Sequence, residues 1–493
     1  MIMALILTPK TIVVSLSVLL LISCSSQPIR ETSKVSSSDI QPSSLSTKLV
    51  ATDRCQFSEG TSPGLVIEGK MLNESFRIED QSVYIQDDKI VDINTSSSLA
   101  IKYPNTGILK CENAYFAPGF INAHEHTSFS YQYPDPILLP DYLHREEWQK
   151  GLHGKYALKY DKSTQDPKIL FWIELRHLLA GETVIAGSGY FDGLLTNISS
   201  DEKAKFNADL ATFPFTNNMA TAFKPYCDDR SSTLPNVGGI KDKILNSPYV
   251  PHIGEGSNCV AEGEILAYFK FIKDSPDPRR KFSMIHAIPL EIVGAKTIKD
   301  NQVSVIWSPR SNLALYGTTL DPIKLIDQQV SLALGTDWSP SGSFNILAEM
   351  NCAHSYTSQK SSRPVSGNEL WKMTTSEAAV SLGINNIAGS ISVGKLANII
   401  VVDDASAEGS EAIYKKTNAD ILSVIMNGQL LIADRTKVKG EYIQSNCLAV
   451  AGNKGLCVDV KAKYGFTFDD VKLANAANVD LTRVDRQAMC QVK

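Results

Sequence analysis

The stretch Ala117-Pro118-Gly119-Phe120-Ile121-Asn122-Ala123-His124-Glu125-His126-Thr127 (APGFINAHEHT) decides how this chain is read. A strand-like apolar run, Gly119 to Ala123, ends in two histidines one residue apart. In a strand, side chains at i and i+2 project to the same face, so both imidazoles can reach one point. Alone, such a pair is more often packing or surface than a ligand set. The spacing is also not that of the HExxH zinc-protease helix. Only eight histidines occur in the chain, so their placement is informative.

His252 follows the run Ser247 to Pro251, with Glu255 shortly after it; His286 lies inside Met284 to Pro289, and Asp337 ends Ser331 to Thr336. Singly, a buried strand histidine is usually a hydrogen-bonded core residue, and an aspartate after a strand usually caps a helix. Their order is more telling: His-x-His, His, His, Asp, each closing a successive strand at the end where β/α barrels place active sites.

The surrounding segments agree. Thr183 to Ala186, Met284 to Ala287, Val303 to Trp307 and Ser331 to Gly335 read as buried strands, whereas Leu170 to Leu179, Glu262 to Lys273 and Asn368 to Leu382 have helical periodicity. Alternating strand and helix predicts a parallel sheet, and 117–388 suits an α/β fold of the (β/α)8 TIM-barrel type. Strands three and four find no clear place between Leu194 and Tyr226. A doubly wound sheet would want a Gly-rich phosphate loop after the first strand, which this stretch does not supply.

On either side lie β-rich runs. Leu65 to Leu72, Ser82 to Ile85 and Lys89 to Ile93, with a turn at Asp87-Asp88, belong to 56–116. Gly389 to Val393, Ala397 to Val402, and Val424 to Ile432 around Asn427-Gly428 belong to 389–445. Neither set buries a core alone. One small β-sandwich formed by both ends of the chain, with the barrel inserted, is expected. Residues 446–493 are a C-terminal extension, read as a disulfide-pinned flap around Gly452-Asn453-Lys454-Gly455.

The first 24 residues read as a signal peptide: the apolar run Thr11 to Ile22 is too short to span a bilayer, where ~20 residues are needed. Leu21-Ile22-Ser23-Cys24 resembles the bacterial lipoprotein box, with Cys24 as the lipidated residue; a plain secretory signal is the alternative. Residues 25–55, rich in Ser, Thr, Gln and Pro, read as a flexible tether. The expected location is the bacterial cell envelope, lipid-anchored, at the outer membrane facing the periplasm. Besides Cys24, the chain has Cys55, Cys111, Cys227, Cys259, Cys352, Cys447, Cys457 and Cys490. Without CxxC pairs, disulfides suit an exported chain better than a cysteine zinc site. The first pairings to try are Cys55–Cys111, Cys227–Cys259 and Cys447–Cys457.

The 493 residues, 43% hydrophobic and 20% charged with a net charge of −5, describe a globular protein with no long basic run. That argues against sequence-independent nucleic-acid binding.

Beyond its residues taken singly, the chain resembles the amidohydrolase superfamily, in particular its one-metal deaminase and chlorohydrolase branch. The matching stretches are APGFINAHEHT (117–127), HIGE (252–255), Ile285-His286, SPRSNLALYG (308–317), LGTDWSPSG (334–342) and GSISVGKLANIIVV (389–402). The resemblance implies His124, His126, His252 and Asp337 as ligands of one divalent metal, most naturally Zn2+ with Fe2+ or Mn2+ as substitutes. It implies that Asp337 takes a proton from water, Glu255 shuttles protons to the substrate nitrogen, and His286 hydrogen-bonds developing negative charge. The activity implied is hydrolysis of a carbon–nitrogen bond other than a peptide bond in a small nitrogen-containing substrate, by an aminohydrolase (deaminase).

Arg310 and Trp338 are pocket candidates. The long loop Thr127 to Asp166 carries Phe129, Tyr131, Tyr133, Tyr142, His144, Arg145 and Trp148, which either cover a planar substrate or simply pack the loop. Two departures stand out: Glu125 between the ligands, expected to point away from the metal, and Asn398 where relatives often carry Asp. One alternative is a binuclear cyclic-amide or dipeptide-type hydrolase with a carboxylated lysine, for which Lys224 is the sensible candidate and solvent exposure its simpler fate. The other is a catalytically inactive periplasmic binding lipoprotein.

Overall fold

The computed structural model describes residues 53–493 apart from 136–140, 190, 192, 199–208, 213–214, 216–217, 238–247, 275–280, 405, 482–489 and 491–493. The signal-peptide reading and Cys24 lie outside the described residues.

Eight parallel strands carry the middle of the chain: β1 (Phe120–Glu125), β2 (Glu182–Gly187), β3 (Thr196–Asn197), β4 (Asp209–Thr212), β5 (Tyr249–Ile253), β6 (Phe282–His286), β7 (Val303–Trp307) and β8 (Leu332–Leu334). They pair as β1-β2-β3 and β4-β5-β6-β7-β8. The last strand returns to the first: Thr336 N–H donates to Asn122 Oδ1 at 3.1 Å and Asp337 N–H to His124 O at 2.9 Å. This is the expected barrel order. Strands β3 and β4, which the sequence left unplaced, are too short to show any periodicity. Apolar residues of the longer strands, among them Ile121, Val184, Val250, Ile285 and Ile306, form one cluster closed by Ala378, Ala379 and Leu382.

The helix expected over Asn368 to Leu382 is two helices, Gly367–Met373 and Ser376–Ser381. Thr374 breaks it because its carbonyl accepts the Ile121 N–H at 2.7 Å, tying the break to the start of β1.

Strands from both ends of the chain share one 12-stranded sheet. The strand Thr106–Pro118 pairs in parallel with Ser62–Leu72 and antiparallel with Ile399–Asp403, with Pro118 opposite Ile399. Leu65, Ile67, Val83, Phe116, Val401 and Ile425 are buried together against it. The run Gly389 to Val393 forms no strand. Gly389 has φ +88, and a β-carbon there would meet Ala379 Cβ at 2.6 Å, so the segment turns tightly against the preceding helix. Asn398 is structural: its Oδ1 accepts the Asn427 N–H at 2.8 Å and its carbonyl the Gly119 N–H at 2.9 Å.

The C-terminal extension is not a loose flap. Leu448–Ala451 and Lys454–Leu456 add a hairpin to the sheet. Phe468 stacks on Trp172, whose indole N–H donates to Val479 O at 2.7 Å. The three expected disulfides are present, and Cys352–Cys490 makes a fourth.

Candidate active site

The strands deliver their polar residues to one end of the barrel. β1 runs two residues further than expected, so His124 and Glu125 belong to it and His126 follows directly. His252 is the penultimate residue of β5, and His286 ends β6. At and just past the strand ends the backbone turns into left-handed conformations, at His286 (φ +70), Ala287 (φ +45) and Asp337 (φ +58). Such positions cost of order 1–3 kcal/mol each and collect at functional sites.

Donor atoms of His124, His126 and His252 lie within 4.8 Å of one another, and so do those of His124, His286 and Asp337. His124 Nε2 and His126 Nε2 each stand 3.4 Å from Asp337 Oδ1. His124 Nε2 is buried without a hydrogen bond, which is costly for a polar atom unless something else occupies its lone pair. Burial and the neighbouring histidines push His126 down to about 4 and His252 well below its ordinary value, so both are neutral, the state that ligates a metal. Burial alone would raise Asp337, yet His124 and the other imidazoles hold it well below the usual carboxylate range. Its Oδ2 accepts the Ser311 hydroxyl at 2.6 Å and its Oδ1 the Trp338 N–H at 2.8 Å. Three imidazoles and an ionised carboxylate fit a single divalent metal.

Beside this set, burial pushes Glu255 up to about 8, with Arg145 only partly offsetting it. Its Oε1 accepts the Tyr316 hydroxyl at 2.8 Å, and its Oε2 lies 3.8 Å from His286 Nε2. Asn312 Nδ2 is spent on Thr319 Oγ1, so its Oδ1 faces His286 Nδ1 at 3.0 Å and takes that proton. Nε2 of His286 therefore presents its lone pair toward Glu255. Glu125 points away as expected: its carboxylate accepts the hydroxyls of Ser130 and Thr336.

A cavity of about 210 Å3 opens over the cluster, lined by His126, His252, Glu255, His286 and Asp337 with Phe129, Trp148, Tyr160 and Trp338. Trp338 thus lies where the sequence placed it. Arg310 does not line the cavity: it is 1% exposed, and its guanidinium donates to Ser343 Oγ at 2.6 Å and Ala348 O at 3.4 Å. Position after β7 alone could not show that the next segment captures it. The aromatic loop divides its work: Phe129 and Trp148 face the cavity, Tyr142 packs beneath, and Tyr133 is exposed. Lys224 is also exposed, paired with Asp228 at 2.7 Å, so it brings no carboxylated lysine to the site.

Two residues given no role by the sequence complete the surroundings. Asn312 and Tyr316, four apart on the helix Pro309–Tyr316, reach His286 and Glu255 respectively, and their i,i+4 spacing was the available signal. Glu264 forks onto Arg145 (2.8 and 3.1 Å), meets His144 Nε2 at 3.1 Å and accepts the Gly254 N–H at 2.8 Å, fastening the long loop to the end of β5.

The Amidohydrolase family model matches residues 252–431. The chain is 24% identical to the 5-methylthioadenosine/S-adenosylhomocysteine deaminase of Clostridium tetani, over 80% of this chain and 99% of that protein. It is likewise 24% identical to the 5'-deoxyadenosine deaminase of Methanobrevibacter smithii, over 75% of this chain and 93% of its relative. Among solved structures, atrazine chlorohydrolase from Arthrobacter aurescens complexed with zinc shares the fold, with a TM-score of 0.57 at 16% identity over 84% of this chain and 99% of its own. Guanine deaminase of E. coli gives 0.52 at 14% identity over 75% and 99%. These matches support the amidohydrolase superfamily and the barrel it implies.

Proposed function

We propose that the chain is a metal-dependent aminohydrolase that removes ammonia from an amino-substituted planar nitrogen heterocycle, of the adenine-nucleoside type or a free base. The observation that carries this reading is the Glu255 carboxyl, pushed up to about 8 by burial, set beside the histidine cluster and Asp337, beneath aromatic walls. The deaminase relatives support it.

His124, His126, His252 and Asp337 would hold the metal, with zinc suiting the donor set and Fe2+ or Mn2+ as substitutes. Once bound, such an ion acts as a Lewis acid and lowers the pKa of water to about 7. Asp337, buried and ionised, accepts the proton of the attacking water. Glu255 hands its proton to the substrate nitrogen, so that water adds to carbon, the carbon–nitrogen bond breaks and ammonia leaves. His286, once its Nε2 is protonated, hydrogen-bonds the atom that becomes negative. Trp338, Phe129, Trp148 and Tyr160 hold the ring.

Zinc-loaded protein is offered 5-methylthioadenosine, 5'-deoxyadenosine, guanine and an aminotriazine, and ammonia is measured. Release that Glu255→Gln abolishes supports the reading. No release from any of them, at one metal per chain, would turn it toward amide-ring opening.

We further place the protein in the cell envelope, anchored through Cys24. The pairing of all eight cysteines from Cys55 to Cys490 supports an oxidising compartment. Incorporation of labelled palmitate that disappears in Cys24→Ala is the expected result; a soluble, unlabelled protein would refute the anchor.

A further inference from the structure

Glu255 is held on its far side by a short chain of donors. Tyr316 Oη donates to Glu255 Oε1 at 2.8 Å, and Trp148 Nε1 donates to Tyr316 Oη at 2.8 Å. All three residues are buried. A tyrosine hydroxyl has one proton and can rotate. With the indole N–H already pointing at its oxygen, the Tyr316 proton is left to face Glu255. Oε1 then accepts, and the carboxyl's own proton belongs on Oε2, the oxygen 3.8 Å from His286 Nε2.

Trp148 has a second office. Its ring is a wall of the cavity, 5.3 Å from the Trp338 ring, and so touches whatever enters. It lies on the helix Arg145–Lys150, which is tied to the Glu255 segment twice over: Arg145 N–H donates to Glu255 O at 3.2 Å, and His144 bridges to Gly256. One side chain thus offers its face to the cavity and its edge to the Tyr316 hydroxyl.

We infer that Trp148 and Tyr316 are positioning residues that aim the Glu255 carboxyl, the indole N–H orienting the tyrosine proton onto Oε1 so that Oε2 carries the proton passed to the reacting nitrogen. This rests on the reading of Glu255 as the proton carrier. It assigns Trp148 a duty beyond stacking: the ring binds, and the N–H directs the acid. A phenylalanine at 148 keeps an aromatic wall and loses the direction.

The test uses the zinc-loaded full chain with 5'-deoxyadenosine. Tyr316→Phe and Trp148→Phe are each expected to lower kcat by about 5- to 20-fold, as for loss of one hydrogen bond to a reacting group, with KM changed less than about 2-fold. The double variant is expected to be no slower than Tyr316→Phe, because both changes cut one chain. Multiplying losses, a loss in KM alone, or wild-type kcat in both single variants would overturn the inference. Glu255→Gln measured alongside separates the two ideas: if it stays active, the proton-carrier reading itself fails. A readout without turnover stands beside this. With five tryptophans in the chain, the indole resonance missing from 15N-tryptophan-labelled Trp148→Phe identifies residue 148. Its N–H is expected to exchange slowly with water in the wild type and quickly in Tyr316→Phe; equal rates overturn the hydrogen-bond chain.

Discussion

Gly335 lies so close to His124 that a β-carbon at position 335 would stand 2.5 Å from the His124 Cβ and 2.7 Å from its backbone nitrogen. This contact sets the approach of β8 to β1, and with it the 3.4 Å separation between His124 Nε2 and Asp337 Oδ1. Gly335→Ala is therefore expected to push the two strands apart. The cost is about 1–3 kcal/mol of stability, as for other overpacked sites, with loss of bound zinc. Thermal unfolding and elemental analysis together check it; full zinc and an unchanged Tm would refute the role of the contact.

His252→Ala removes one donor from the cluster. The expected outcome is a metal content well below one per chain, no measurable turnover, and metal-free protein that unfolds at the wild-type apo temperature. Full activity in this variant would sink the proposed ligand set.

Lys224→Ala tests the binuclear alternative. The side chain is exposed and engaged with Asp228, four residues along its helix, so metal content is expected to stay at one per chain. A fall from two ions to one would reinstate a lysine-bridged pair.

Acid should loosen the long loop through Glu264. Burial alone would raise this carboxyl, but Arg145 and His144 outweigh it and hold Glu264 below its ordinary 4.5. A depressed acid binds fewer protons folded than unfolded, so its stabilisation is present above about pH 4.5 and lost as pH falls through the lower folded value. Glu264→Gln, which leaves Arg145 without its forked partner, is expected to cost about 3–5 kcal/mol at pH 7. The difference from wild type should shrink below about pH 4. Denaturant unfolding at both pH values measures it, and a pH-independent difference would contradict the ion-pair account.

What could be read in the sequence was whatever depends on local pattern. The apolar runs Gly119 to Ala123, Ser247 to Pro251, Met284 to Pro289 and Ser331 to Thr336 announce strands, and a ligand-type residue in or just after each announces the site. Three of the cysteine pairings were among the first to try, and the structure contains them. What could not be read depends on partners far away in the chain. Tyr316 finds Glu255 across 61 residues, and Arg145 finds Glu264 across 119. Arg310 looked like a pocket residue because its position, but not its direction, is visible locally; Ser343 takes it inward. The helix break at Thr374 has the same origin, since only β1 could claim that carbonyl. Strand β3 spans just Thr196–Asn197, too little for any period to register.

The pairing of Thr106–Pro118 with Ile399–Asp403 imposes an order of events on synthesis. At ribosomal speeds of about 5–20 residues per second, the earlier strand waits tens of seconds before its later neighbour exists. Throughout that wait its open side can recruit a strand from another chain, the usual hazard of an unpaired edge. Its other side is filled early by Ser62–Leu72. The first part of the open side is filled by Cys55–Ser58, where Cys55 and Cys111 sit directly across from each other, so in an oxidising compartment their bond can secure that pair independently of the later strand. Folding of this protein is thus a race between completing its own sheet and lending half of it to a neighbour, and the yield should fall as the concentration of nascent chains rises.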